Sequence, residues 1–274
     1  MMVKIYTDTN VLRYFGTAFA HTSLPDDLQV QLLLAPLSTM ELMSQLGTDG
    51  AEEAFAAFQA LPKFHNPRAT GVLPWSDNLF RYLLKLPPLE DTITTSLNNA
   101  VINILNSTGA GALRADGEKW RAIWDREKRG AANNFSAVLD SWRAEGPLSE
   151  AEHRAIFARS IARRAGADES AVDVDSIVMS LNAHYVFEHD RMEAAAENPD
   201  YNVSKHENDV IDAELLIYLA DPELHLLTSD KGFRRVARSS QASQVHIIEQ
   251  ASLIDAKCAS EVIRSIVESV PATN

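Results

Sequence analysis

The sequence predicts an α/β protein, built as a three-layer α/β/α stack around a central parallel sheet of about 4–5 strands, plus a large all-helical insertion. Three observations predict this. Short apolar runs bounded by turn-forming residues occur near both ends of the chain. Helical periods follow each of them, and strands that alternate with helices imply a parallel sheet covered on both faces. The long middle of the chain carries helical spacing and almost no strand signal.

Val3-Lys4-Ile5-Tyr6-Thr7 alternates in polarity and then meets Asp8-Thr9-Asn10, residue types that cap helices, before Val11-Leu12-Arg13-Tyr14-Phe15. This predicts a strand running into a helix N-terminus. Leu32-Leu33-Leu34-Ala35-Pro36 is apolar throughout, as a buried parallel strand is. Ser38-Thr39-Met40-Glu41 has the spacing of a capping box, with Ser38 as the cap of the next helix. Such a box would give Glu41 a purely structural reason to be there.

Between 49 and 204, Ala-rich and charged stretches with helical spacing cover 51–60, 77–86, 90–106, 115–144, 149–165 and 169–195. Prolines at 62, 67, 74, 87, 88 and 147 and glycines at 109, 111, 146 and 166 separate them. A short strand is expected near Gly71-Val72-Leu73. The α/β texture then returns, with helices predicted over 209–219, 231–239 and 252–269 and strands over 224–228 and 245–248. The expected organisation is therefore a core built from 1–48 and 205–274, interrupted by a mostly helical segment over 49–204.

Composition narrows the class. With 274 residues, 46% of them apolar, the chain is long enough to bury a sizeable core. No apolar run approaches the roughly 18–20 residues that span a bilayer. The N-terminus lacks a basic segment followed by a long apolar stretch, so no secretory signal is expected. Cys258 is the only cysteine, which forbids an intrachain disulfide and makes the cytoplasm the expected location. The net charge of −13 argues against a protein that coats nucleic acid, though a local basic groove beside a metal remains compatible with it.

The chemistry concentrates in acids. Asp8 and Asp230 each end an apolar run, and in open α/β sheets the ligand site lies beyond the carboxyl ends of the strands. Carboxylates converging there suit a hard divalent cation, Mg²⁺ or Mn²⁺, and such an ion supports phosphodiester hydrolysis without a nucleophilic side chain.

Four segments, Tyr6-Thr7-Asp8-Thr9-Asn10-Val11-Leu12, Ser38-Thr39-Met40-Glu41-Leu42, Asn208-Asp209-Val210-Ile211-Asp212-Ala213 and Leu226-Leu227-Thr228-Ser229-Asp230-Lys231-Gly232-Phe233, resemble in order and local structure the acidic motifs of PIN-domain ribonucleases. The resemblance covers roughly 1–48 and 205–250 and leaves the middle unmatched. It implies that Asp8, Glu41, Asp212 and Asp230 hold the metal and act in catalysis, with Asn10, Thr228 and Ser229 positioning water or carboxylates. The third position stays open between Asp212, which fits the motif better, and Asp209, which lies on the same helix face. The implied activity is Mg²⁺- or Mn²⁺-dependent cleavage of single-stranded or structured RNA. An inhibitor protein or a second copy of the chain is the accompanying class of partner, and no membrane is expected. A haloacid-dehalogenase-type phosphohydrolase also begins with an Asp at a strand end, but wants a second Asp where this chain has Asn10. A catalytically degenerate PIN-like binding module is the non-enzymatic alternative.

Basic residues near these motifs are candidates for substrate contact. Lys231, Arg234 and Arg235 follow Asp230, and Lys205 precedes the third motif; solvated helix faces would look the same. Over 114–164, eleven Lys/Arg against eight Asp/Glu leave a balance of +3, with Trp120, Trp124 and Trp142 among them. Trp at i and i+4 predicts helix packing before it predicts base stacking. His184 and His189 are five apart, which misses the i, i+4 spacing of a helical zinc site, so a surface position is expected for both.

Overall fold

Strand β1 (Val3–Thr7) occupies the middle of a four-stranded parallel sheet ordered β2-β1-β3-β4, completed by β2 (Val30–Leu33), β3 (Leu224–Thr228) and β4 (Val245–Ile247). The structure is a computed structural model that describes residues 2–64, 71–146, 148–203 and 211–270. Pairing sets Thr7 of β1 beside Leu227 of β3, so residues separated by most of the sequence share one strand-end position. All five residues of β3 are buried, as a central strand with both faces covered requires.

The alternation along β1 divides the interior in two. Val3 and Ile5 enter one core cluster with Val30, Leu32, Leu12, Phe15, Leu42 and Leu227. Tyr6, one position on, enters a second cluster on the opposite face with Leu226, Leu216, Phe157 and Phe233. Each such side chain contributes about 1.5–3 kcal/mol by leaving water, so the register is strongly specified.

Helix α1 (Thr9–Ala18) begins where β1 stops because Asp8 caps it, its Oδ1 accepting from Val11 N at 2.8 Å. Helix α2 (Pro36–Gln45) starts earlier than the capping-box spacing predicts. Pro36 takes the first turn, where its fixed φ suits a helix and its missing N–H costs nothing. Ser38 therefore lies inside the helix, no side chain caps it, and the box between Ser38 and Glu41 does not form.

Helices α3 (Ala51–Ala60), α4 (Ser76–Leu83), α5 (Thr92–Leu105), α6 (Arg114–Glu145), α7 (Glu150–Ala165), α8 (Val174–Ser180) and α9 (Asn182–Glu197) follow close to the expected positions. The single helix expected over 169–195 is instead α8 and α9, which meet at Leu181. The strand expected near 71–73 is reduced to an isolated parallel bridge between Leu34 and Val72. These helices pack into both cores: α3 and α5 on the Ile5 side, α7, α8 and α9 on the Tyr6 side. A third cluster joins Phe135, Leu139 and Trp142 of α6 to Met192 and Ala195 of α9.

Glycine sets two close helix contacts. A Cβ on Gly16 would lie 2.5 Å from Ala57 N where α1 crosses α3. A Cβ on Gly117 would lie 2.5 Å from Leu46 C where α6 meets the end of α2. Near the C-terminus, the chain after Asp212 and after Asp230 forms 3₁₀ rather than α turns, at Ala213–Ala220 and Lys231–Arg238. Asp230 accepts from Gly232 N, two residues on, which tightens the start of the second of these. Helix α10 (Ala256–Ser269) closes the Ile5-side core. Among the described residues no helix is long and apolar enough to cross a membrane.

Candidate metal centre

The carboxyl ends of β1 and β3 lie side by side, and the next residues knit them together. Asp8 is 7% exposed, and its Oδ2 accepts from Thr228 Oγ1 at 2.6 Å and from Ser229 N at 3.2 Å. Thr228 Oγ1 in turn accepts from Asp230 N at 3.0 Å. One hydroxyl thus orients the Asp8 carboxylate and the backbone carrying Asp230. Asp230 is half-buried and caps the following turn.

Glu41 reaches the same corner from α2. Its Oε2 accepts from Thr9 Oγ1 at 2.6 Å, so the residue that follows Asp8 holds the second acid. Burial pushes the Glu41 pKa up, and the bond from Thr9 and the charge of Arg13 oppose that; Asp8 raises it further and Lys128 lowers it. Burial likewise raises Asp8 above the usual carboxylate range, against the bonds from Thr228, Val11 and Ser229, and Asp230 adds to the rise. Asp230 thus acts on Asp8, and Asp8 on Glu41. Ionised, the group is short of positive charge, and oxygen donors in that state suit a hard divalent cation.

Asp212 is half-buried at the start of its turn, and its neighbour Ile211 packs in the same core as Leu12 and Leu42. Asn10 is exposed on the first turn of α1. Asp209 and Lys205 lie outside the described residues. Lys231, Arg234 and Arg235 are all exposed; Lys231 pairs with Glu249 at 3.5 Å, and the Arg235 guanidinium sits 5.8 Å from the Phe187 ring centre. Trp124 and Trp142 are buried and Trp120 is packed against the Ile5-side core, as helix packing requires.

Two contributors carry no sequence signal: Thr9, whose hydroxyl binds Glu41, and Lys128, which α6 brings to Glu41 from far along the chain. Thr9 stands inside the first acidic motif, but nothing in its identity tells which acid it serves.

The three ligand atoms that lie within 4.8 Å of one another among the described residues belong to a different group, His189, Asp190 and Glu193 on α9. The acids around Asp8 stand further apart. The α9 group is a poorer cation site all the same, because Arg238 pairs with Asp190 and already supplies its counter-charge. The expected surface position of His184 is overturned, since it is buried with Nδ1 2.7 Å from Ala213 O. α9 is packed on one side by α7 and on the other by the Ala213–Ala220 turn, which leaves that histidine no solvent.

Comparison of the chain with protein-family models, with curated proteins and with solved structures returns no match in any of the three.

Proposed function

We propose that this protein is a metal-dependent endoribonuclease of PIN-like architecture: a three-layer core whose halves are separated by a helical insertion, with Mg²⁺ or Mn²⁺ held by Asp8, Glu41, Asp212 and Asp230. The observation that carries this is the union of Asp8 and Asp230 at adjacent parallel strand ends through Thr228, with Glu41 fastened beside them by Thr9. Its support is physical. Burying acids together raises the pKa of Asp8 and Glu41; Asp8 returns part of that cost by capping α1, whereas Glu41 has only its bond from Thr9. Glu41 has lost its competing explanation as half of a capping box.

In this proposal Thr228 and Ser229 fix the Asp8 carboxylate, Thr9 fixes Glu41, and Lys128 and Arg13 bring positive charge to the Glu41 side, where a phosphate would approach. A bound divalent cation supplies phosphate charge neutralisation and a more acidic water. Both Asp8 oxygens are engaged, so Glu41, whose Oε2 bonds Thr9, is the acid positioned to accept a proton from water, at its other oxygen. The test is cleavage of single-stranded RNA with Mn²⁺, Mg²⁺ or chelator. Asp230→Asn is expected to lower the rate by two orders of magnitude or more, roughly the scale on which losing a positioned charged group slows an enzyme. Cleavage that persists in chelator, or survives Asp230→Asn unchanged, removes the proposal.

A further inference from the structure

A cavity of about 740 Å³ opens between α6, α7 and α9. That volume is in the range of small-molecule sites, roughly 300–1,000 Å³. Leu37 on its wall stands one helical turn before Glu41 on α2; Ile211 on its wall adjoins Asp212; Glu127 on its wall adjoins Lys128. α2 and the segment of Asp212 thus contribute both to the cavity wall and to the candidate metal centre, while none of the four acids lines the cavity itself.

Its chemistry argues against a phosphate and for a planar heterocycle. Trp75, Trp142 and Phe135 provide aromatic wall. The two guanidinium groups that line it are committed: Arg164 to Glu214 at 2.5 Å and to Asp77 at 3.1 Å, Arg191 to the Phe135 ring at 4.3 Å and to Glu188 at 3.9 Å. Glu214 is held by Arg164, but the other two carboxylates are held more loosely, Glu188 at 3.6 Å from His184 and Glu127 at 3.4 Å from Arg126. With Glu127, Glu188 and Glu214 against Arg164 and Arg191, the lining is net acidic, so it repels phosphate and offers acceptors to N–H groups. His153, 9% exposed, also lines the cavity; burial, with a smaller push from His189, holds its pKa at about 4, so its ring adds no positive charge near neutrality.

We propose that this cavity is a base-binding subsite: it receives one amino-bearing nucleobase of a single RNA strand, stacked on the aromatic wall with its donor edge toward Glu127 and Glu188, while the adjoining phosphate stays at the acidic corner. Guanine, with two parallel N–H donors, fits such carboxylates best and uracil least. The proposal rests on the nuclease function above, and its test is separable from it.

The mouth is formed by Val138 on α6 and Ile156 on α7, 46% and 44% exposed, so a larger residue at 138 blocks entry without filling a packed core. Gly130 lines the same wall with open space around its Cβ position, which makes Gly130→Phe a second, independent plug. Guanosine, adenosine, cytidine and uridine are titrated in chelator and followed by tryptophan fluorescence and calorimetry; metal-dependent cleavage of a short RNA is compared with the same strand carrying one abasic position. The expected result is saturable binding with guanosine tightest. Val138→Trp and Gly130→Phe should each weaken it by about fivefold or more, the scale of losing a stacked base. Nucleosides that fail to bind at millimolar concentration, or bind equally well to both plugged variants, overturn the subsite. Cleavage that continues in that case, at the same rate on the abasic strand, overturns the subsite and leaves the nuclease standing. Plug-sensitive nucleoside binding without cleavage supports the subsite and removes the nuclease.

Discussion

Glu41 concentrates the argument at the level of a single residue. It sits beside a buried like charge and is balanced by one hydroxyl and two cations, and burial dominates. Folding raises its pKa, so the folded chain holds that proton more tightly than the unfolded one. Its favourable contribution is complete below the ordinary value of 4.5 and is lost as pH rises through the folded value. Glu41→Gln keeps an oxygen for Thr9 and removes the charge. In chelator, thermal melts should coincide below pH 4.5 and separate above it, with the variant melting higher at neutral pH. A variant that melts lower than wild type at neutral pH would show that Arg13 and Lys128, not burial, decide this site.

Among the elements, the contact between α2 and α6 sets how near the charge of Lys128 lies to Glu41. Gly117 makes that contact: an added Cβ would meet Leu46 C at 2.5 Å and, closer still, Gly47 N, both backbone atoms that cannot turn aside. Helix propensity alone would favour Gly117→Ala by about 1 kcal/mol. Overpacking costs about 1–3 kcal/mol and should win. Denaturant unfolding is therefore expected to show net destabilisation. Stabilisation would mean that the two helices do not approach this closely. Elements also show where local pattern misleads. Ser38 and Glu41 have capping-box spacing, yet Pro36 starts the helix three residues earlier than a Ser38 cap would and leaves both for other work.

The whole molecule brings one corner together from distant stretches of chain, and a cation should register there as stability. A ligand bound only by the folded state at a hundred times its Kd adds about 2.7 kcal/mol. For a chain of this size that is a rise in Tm of several degrees, at about 2–4 °C per kcal/mol. Mn²⁺ is expected to raise wild-type Tm by that amount and to raise Asp8→Asn far less. An equal rise in both would place the ion elsewhere, with His189, Asp190 and Glu193 the first group to substitute.

The sequence by itself determined the α/β texture, the strand that ends at Asp8, the strand that ends at Asp230 and the helices between them. Each of these is written in local polarity: alternation over Val3–Thr7, an apolar run over Leu224–Thr228, helical spacing in the middle. Strand-end position made Asp8 and Asp230 legible as a pair, because parallel sheets put their carboxyl ends on one edge. Tertiary structure alone decided which hydroxyl holds which acid, that the charge of Lys128 acts on Glu41, that His184 is buried, and that α6, α7 and α9 enclose a cavity. Those facts depend on how helices far apart in sequence cross. Crossing is set by close approaches such as Gly117 on Leu46, which no single stretch of sequence contains.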